Sequence, residues 1–100
     1  MWEYQVKADH IPEFEKIYHS NGAWAELFRR ANGYISTDLL RDEKNPHRYI
    51  TIDRWASTES YWAFHIRFKK EYETLDAQCE ELSEHEILLG KWKSVNYETR

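Results

Sequence analysis

The chain has 100 residues, a formal net charge of −4 and aromatic side chains at 16% of its positions. This length corresponds to a single domain, residues 1–100, and the scattered basic residues argue against a nucleic-acid partner. The single cysteine, Cys79, excludes a disulfide scaffold and fits a reducing, cytoplasmic setting. No apolar run approaches the roughly 20 residues that span a bilayer, so no membrane partner is expected.

The first predicted element is a strand over residues 1–7. Apolar side chains alternate with polar ones there and fall on one face: Trp2, Tyr4 and Val6. A helix follows, with Asp9 or His10 as its predicted cap. An interruption at residues 20–22 separates it from a second helical piece, which carries Trp24.

Two further strands are predicted over residues 34–41 and 48–56. A polar turn that contains Asn-Pro separates them, which indicates a hairpin. Ser57 or Thr58 is placed to cap a long helix, and the apolar spacing predicts that this helix runs to about Leu82.

A last strand is predicted over residues 86–92, and the tail 96–100 is expected to fray or to pack on a neighbour. The order is therefore βαββαβ. This order predicts an α+β, ferredoxin-like sandwich in which a four-stranded antiparallel sheet carries its helices on one face.

The third predicted strand is apolar on both faces, because Ile50 and Ile52 oppose Tyr49 and Trp55. Strands of this kind are buried on both sides. Since the chain has no further helix to cover the second face, we expect a second copy to cover it, in a homodimer joined through the sheets. The alternative is a monomer with exposed apolar residues.

The long helix carries one stripe at alternating spacings of four and three residues: Tyr61, His65, Phe68, Tyr72, Leu75, Cys79 and Leu82. His65 is the one member that titrates near neutral pH. It is interpreted either as a neutral core histidine bonded to a hydroxyl or carbonyl group, or as a general base or substrate anchor that faces a cavity.

The other candidate site residues are mostly aromatic. Trp24, Trp55 and Phe64 are placed to line the same cleft for a small aromatic molecule. Tyr49 or Tyr61 can donate a hydrogen bond to a carbonyl or phenolate oxygen. An ordinary place in the core is the simpler interpretation of Trp24 and Trp55, and a packed ring with its hydroxyl in water is the simpler interpretation of Tyr49 and Tyr61.

Three further features are interpreted as structural. Asp53 lies in mid-strand, where it can orient a histidine or pair with Arg48 or Arg54. Cys79 is expected to be an inert buried thiol. The five histidines are dispersed, so no metal site is predicted.

Three stretches, "GYISTDLL", "RYITIDRW" followed by Ser57, and "EHEILLG", resemble the antibiotic biosynthesis monooxygenase family. The resemblance covers the chain from Trp2 to about Lys91. It implies a dimeric α/β barrel, in which the sheets of two ferredoxin-like protomers pack together. The better-known enzymes of this family oxidise polycyclic phenols to quinones with molecular oxygen, without a metal or flavin cofactor.

The resemblance implies a cofactor-independent monooxygenase that acts on a small aromatic, phenolic or quinol-like compound. In this interpretation His65 is the proton acceptor or substrate anchor, and Tyr49 or Tyr61 is the hydrogen-bond donor. The alternative is a non-catalytic module of the same fold that binds a small molecule or serves dimerisation.

A second branch of that family degrades haem and uses an Asn on the first strand with a Trp and a His on the second long helix. The first predicted strand of this chain has no Asn. Phe64 stands at the position of that Trp, and Thr74 stands near the position of that His. Haem degradation is therefore not expected.

Overall fold

The computed structural model describes residues 1–95, and its elements follow the predicted order. The strands are β1 (Trp2–Val6), β2 (Tyr34–Arg41), β3 (Arg48–Trp55) and β4 (Ser83–Leu88). The helices are α1 (Ile11–Tyr18), α2 (Ala23–Arg29), α3 (Thr58–Arg67) and α4 (Lys69–Cys79), and a 3-10 turn (Ala8–His10) precedes α1. The strands form one antiparallel sheet in the order β2-β3-β1-β4, which confirms the α+β, ferredoxin-like prediction.

The strand register decides which side chains face the helices. Tyr4 of β1 lies opposite Tyr49 of β3, and Thr37 of β2 lies opposite Asp53 of β3. Because side chains alternate between the faces of a strand, Thr51 shares the helix-facing side with its neighbours two positions away. The alternation predicted for β1 and β3 is confirmed.

Aromatic rings join the helices to the sheet. Phe14 packs edge-on against Tyr4, with their ring centroids 5.3 Å apart. Phe28 contacts Trp55 at 5.6 Å and Phe64 at 5.1 Å, so one ring of α2 touches both β3 and α3. Such rings bury large apolar areas, which is how a chain of 100 residues fills its core.

A glycine connects α2 to β2. Gly33 has a φ of +89°, and its carbonyl accepts a hydrogen bond from the Ala56 amide at 2.6 Å. A Cβ atom at this position would lie 2.3 Å from Oγ of Ser60. Glycine is therefore required here both by the backbone conformation and by the close approach of α3.

The single long helix predicted after β3 is divided into α3 and α4 at Phe68, so that prediction is wrong. The backbone of Phe68 leaves the helical region at φ −108° and ψ 26°. Its amide still donates to the Phe64 carbonyl, and its carbonyl still accepts from the Tyr72 amide. Because the hydrogen bonds and the apolar spacing continue across the break, the pattern conceals it. The stripe does face the core, where Phe68, Cys79 and Leu82 are buried.

The last strand lies earlier than predicted, at Ser83–Leu88 instead of residues 86–92. The apolar run favours the later position, but the pairing with β1 ends where Trp2 meets Leu88. Trp92, predicted to close the strand, is exposed outside the sheet.

Two smaller predictions concern the chain ends. His10 occupies the N-cap position of α1 without a side-chain capping hydrogen bond, and Asp9 lies within the 3-10 turn. The tail 96–100 lies outside the described residues. Within the described part of the chain, no helix has both the length and the apolar character needed to cross a bilayer.

The predicted N-cap of α3 provides a test of the fold. Ser57 Oγ accepts a hydrogen bond from the Ser60 amide at 3.1 Å, at the start of α3. We expect Ser57→Ala to lower the free energy of unfolding by about 1 kcal/mol in urea denaturation, because a backbone donor loses its partner. Ser57→Asn should restore most of the loss, and Thr58→Ala should cost less. An unchanged stability of Ser57→Ala would contradict the capping role.

Candidate functional site

A cavity of about 50 Å³ lies between the helices and the sheet. Every strand and three of the helices contribute to its lining: Trp2, Tyr4, Tyr18, Trp24, Phe28, Thr37, Thr51, Asp53, Tyr72, Asp76 and Glu86. Since a water molecule takes up about 30 Å³ of the liquid, the space corresponds to one or two waters. A larger occupant has to displace lining side chains.

Asp53 is a partly buried acid that lines this cavity. Thr37 donates its hydroxyl hydrogen to Oδ1 of Asp53 at 2.6 Å, and the Tyr34 hydroxyl lies 2.8 Å from Oγ1 of Thr37. Because the Thr37 hydrogen is committed to Asp53, Tyr34 is the donor in the second bond. Burial raises the pKa of Asp53 above its ordinary value of 3.8, and the bond from Thr37 partly opposes this rise.

The ion pairs predicted for Asp53 are not formed. Arg48 pairs with Glu3 and Asp42, and Arg54 pairs with Asp38. Adjacent residues of a strand point to opposite faces, so Arg54 lies on the other side of the sheet from its neighbour Asp53. The carboxyl group therefore faces the cavity with a hydroxyl partner in place of an arginine.

Two tyrosines provide hydroxyl groups that remain protonated at neutral pH. Burial, with the neighbouring charge of Asp76 next, raises the pKa of Tyr72 to about 12. Burial also raises the pKa of Tyr4, against the effect of the Thr51 hydroxyl. Both side chains line the cavity, where each can donate a hydrogen bond.

The indole of Trp24 supplies a donor without a partner. Its Nε1 is buried and makes no hydrogen bond within residues 1–95. An indole nitrogen only donates, and buried donors are nearly always satisfied. Trp24 lines the cavity, so an acceptor oxygen on an occupant can satisfy this group.

His65 is half-buried beside the cavity and does not line it. Its ring lies 4.5 Å from that of Tyr61 and 4.8 Å from that of Tyr72, centroid to centroid. Burial, followed by the charge of Lys91, lowers the pKa of His65 below 6.5, which favours the neutral imidazole. Tyr72 touches both the cavity and His65, so it is the direct connection between them.

The residues predicted for the site are only partly brought together. Trp24 lines the cavity. Four others form a cluster of rings beside it, in contact with one another or with Tyr72: Trp55, Tyr61, Phe64 and His65. Tyr49 lies apart, since its ring packs on Phe14 and its hydroxyl donates to Glu15 of α1.

Asp53 and Tyr72 are the lining residues whose role the sequence interpretation missed. Both lie on faces that were correctly identified, because Asp53 shares one face of β3 with Tyr49 and Trp55, and Tyr72 belongs to the stripe with His65. The signal for Asp53 was a carboxylate on the apolar, helix-facing side of a strand. Such a residue is rarely buried unless a partner or a function compensates for it.

Two further features of the site concern possible metal ligands and the thiol of Cys79. Within residues 1–95 no group of three or more His, Cys, Asp or Glu side chains is arranged to hold a metal ion. Cys79 is buried, and burial raises the pKa of its thiol above its ordinary value, which keeps it protonated.

The comparison with family models gives a match over residues 1–67 to the family described as antibiotic biosynthesis monooxygenase. The match includes β1, α1, α2, β2, β3 and α3, and therefore Asp53 and His65. A comparison with curated proteins finds no significant match.

The raised pKa of Asp53 makes a prediction about stability. The folded protein holds the proton of this group more tightly than the unfolded chain does. The stability that this tighter binding adds is therefore fully present below about pH 3.8 and is lost as the pH rises through the pKa of the folded state. We expect Asp53→Asn to raise the thermal midpoint by a few degrees at pH 7, which corresponds to a gain of about 1 kcal/mol or less in the free energy of unfolding. The difference should shrink as the pH falls towards 4.

Asn keeps an oxygen that can accept the bond from Thr37, so the variant removes the charge and little else. Asp38→Asn, on the opposite face of the sheet and paired with Arg54, is the matched control and should give no gain. A lower midpoint for Asp53→Asn at pH 7, measured by differential scanning calorimetry, would show that the charge of this carboxylate does not lower the stability of the fold.

Proposed function

The chain belongs to the antibiotic biosynthesis monooxygenase family, and on that basis we propose that it is a monooxygenase of a small phenolic or quinol-like compound. The aromatic cavity with its buried carboxyl group is the observation that supports this proposal. The substrate itself is the reductant: a phenol and O₂ give a quinone and water, with one oxygen atom on the ring and the other in water. No further cofactor is required for this balance.

Asp53 is the proposed proton acceptor. A phenol must lose its proton before it can pass an electron to oxygen, and a base with a raised pKa is better matched to that task than an ordinary carboxylate. The bond from Thr37 holds one carboxylate oxygen in place. The other oxygen is then available to the substrate, while Trp24 Nε1 and the Tyr72 hydroxyl are the proposed donors to the substrate oxygen.

His65 is the competing assignment for the proton acceptor, with Tyr61 as its neighbouring hydroxyl. Its lowered pKa leaves the imidazole neutral, and a neutral imidazole can accept a proton. To act on a cavity occupant, however, it must work through Tyr72 or after Tyr72 has moved. Direct access to the cavity therefore favours Asp53.

A homodimer is the proposed assembly. On the sheet face opposite the helices, Leu40, Ile50 and Ile87 lie in one row with Glu3 between the last two. Leu40 is 50% exposed and Ile87 is 48% exposed in the single chain. An apolar row on an otherwise uncovered sheet favours an interface, and the same face of a second copy fits a twofold arrangement.

A non-catalytic module is the second candidate, and the small volume of the cavity favours in particular a module that serves dimerisation. A space of about 50 Å³ admits no aromatic ring unless side chains move. A module of this fold would bind a metabolite or serve dimerisation without consuming oxygen.

Oxygen consumption with a panel of naphthols and hydroquinones tests the proposed reaction. We expect Asp53→Asn to lower kcat/KM by about 10²–10⁴-fold, the usual effect of losing a general base. His65→Ala should cost less than about tenfold with little change in thermal midpoint. Because the base is active when ionised, the wild-type rate should rise with pH through a pKa above 3.8.

Glu59→Gln, an exposed change in the first turn of α3, is the control. A larger loss of kcat/KM in His65→Ala than in Asp53→Asn would identify His65 as the base. No oxygen uptake with any compound, together with a ligand-induced rise in thermal midpoint, would favour the binding module over the enzyme.

Sedimentation equilibrium at micromolar concentration tests the dimer. We expect a mass about twice the 12.2 kDa of the chain. Ile50→Glu puts a charge into the apolar row and should reduce the mass to that of one chain. Ile66→Glu, at an 80% exposed apolar position on α3, is the matched control and should leave the dimer intact. A mass near 12 kDa for the wild-type protein would reject the proposal.

A further inference from the structure

A second cavity, of about 150 Å³, adjoins the first one. Tyr18, Asp76 and Glu86 line both. Asp53 contributes to the first cavity alone, and Glu86 is exposed. The two cavities together therefore provide a longer space than the first alone, and an elongated compound can occupy both when the side chains between them move apart.

The charges along this space have one sign. The charged side chains that line the first cavity are all carboxylic: Asp53, Asp76 and Glu86. The amino group of Met1 acts on Asp53 from outside the lining and donates to the Gly90 carbonyl. An occupant is therefore surrounded by acidic groups.

The second cavity continues the same charge pattern. Glu80 and Glu84 join Asp76 and Glu86 around it, and His85 is the one lining side chain there with a basic nitrogen. Although Glu86 is exposed as a residue, its carboxyl group is partly removed from water, and this desolvation, followed by the charges of Asp76 and Glu80, raises its pKa. Asp76, Glu80 and Glu86 are close enough for their charges to interact, and they would gain from a positive charge in the space between them.

Rings surround the inner part of the space: Trp2, Tyr4, Tyr18, Trp24, Phe28 and Tyr72. Aromatic rings pack favourably against one another, so this part of the space suits the ring of an occupant. Rings on the inner side and carboxylates on the outer side therefore suit an aromatic compound that carries a positive charge.

The unpartnered donor of Trp24 adds a second requirement. Its Nε1 lies near Tyr18 and Cys79 without a hydrogen bond of good geometry to either. The whole side chain is 8% exposed, so water from the surface reaches it poorly. An occupant that satisfies this group must present an acceptor oxygen to the inner cavity.

We infer that the two cavities take a small phenol or quinol that carries a positively charged amino group. The phenol oxygen lies in the inner cavity with Asp53 and Trp24, and the ammonium group lies between Asp76 and Glu86. The inference rests on the proposed function, because it names the substrate class of the same site.

The reaction itself supplies a reason for this charge. Once Asp53 has taken the proton, the phenolate lies near the carboxylates of Asp76 and Glu86, and these like charges oppose it in a poorly solvated space. A positive charge carried by the substrate offsets those carboxylates. A neutral phenol lacks this compensation, and an acidic one adds to the repulsion.

Isothermal titration with three matched probes tests the inference: tyramine, 4-ethylphenol and 3-(4-hydroxyphenyl)propionate. All three have the same phenol ring and differ in the charge at the end of a short chain. At pH 7 we expect tyramine to bind about tenfold more tightly than 4-ethylphenol and the carboxylate to bind most weakly. The preference should decline as salt is added, since the carboxylates at the outer end are partly exposed.

Two variants locate the preference. Asp76→Asn and Glu86→Gln should each reduce the affinity for tyramine by about three- to tenfold and leave that for 4-ethylphenol unchanged. Glu73→Gln, also on α4 but absent from the lining of both cavities, is the control and should change neither.

Equal affinities for tyramine and 4-ethylphenol would overturn the inference, as would an absence of tyramine binding at millimolar concentration. If the inference holds and the proposed reaction fails, the result is different. Tyramine is then preferred and the preference depends on Asp76 and Glu86, but no phenol causes oxygen uptake. Oxygen uptake with neutral phenols that bind as tightly as tyramine would support the reaction and reject the substrate class.

Discussion

The burial of the Asp53 carboxyl group among aromatic rings is the constraint on which the rest of the site depends. The period of two in β3 puts this residue on the same side of the sheet as Tyr49 and Trp55, and it puts the neighbouring Arg54 on the other side. An arginine in contact would lower the pKa of the acid, whereas burial with a hydroxyl partner on Thr37 leaves it raised. One alternation thus determines both where the acid lies and how basic its conjugate form is.

Tyr72 connects this acid to the rest of the ring cluster. It lines the cavity and packs on His65, although the break at Phe68 puts the two residues in different helices. The cavity needs side-chain movement to admit a ring, and Tyr72, half-buried and on α4, is placed to provide it without disturbing β3. Movement of Tyr72 would also expose His65 to the same space. The access of an occupant to either candidate base therefore depends on the position of the Tyr72 ring.

The sequence predicts the fold well, because the fold depends on repeated patterns. The alternation of β3 and the spacing of the helical stripe each rest on many residues, so the element order is recovered even where the break at Phe68 and the bounds of β4 are not. The site depends instead on register. That Thr37 lies opposite Asp53, and that Trp24 of α2 and Tyr72 of α4 reach the same cavity, follows from how elements pair and pack. No local pattern contains that information, which is why His65 was the more visible candidate.

A stability argument explains why the acid at position 53 points to function. An apolar residue there would bury more surface and avoid the cost of removing a carboxyl group from water. The carboxylates of Asp76 and Glu86, on separate elements, line the same space and repel one another. Proteins retain such unfavourable groups mainly where a ligand or a reaction uses them. The acid at position 53 is therefore better explained by an occupant or a reaction that uses it than by the needs of folding.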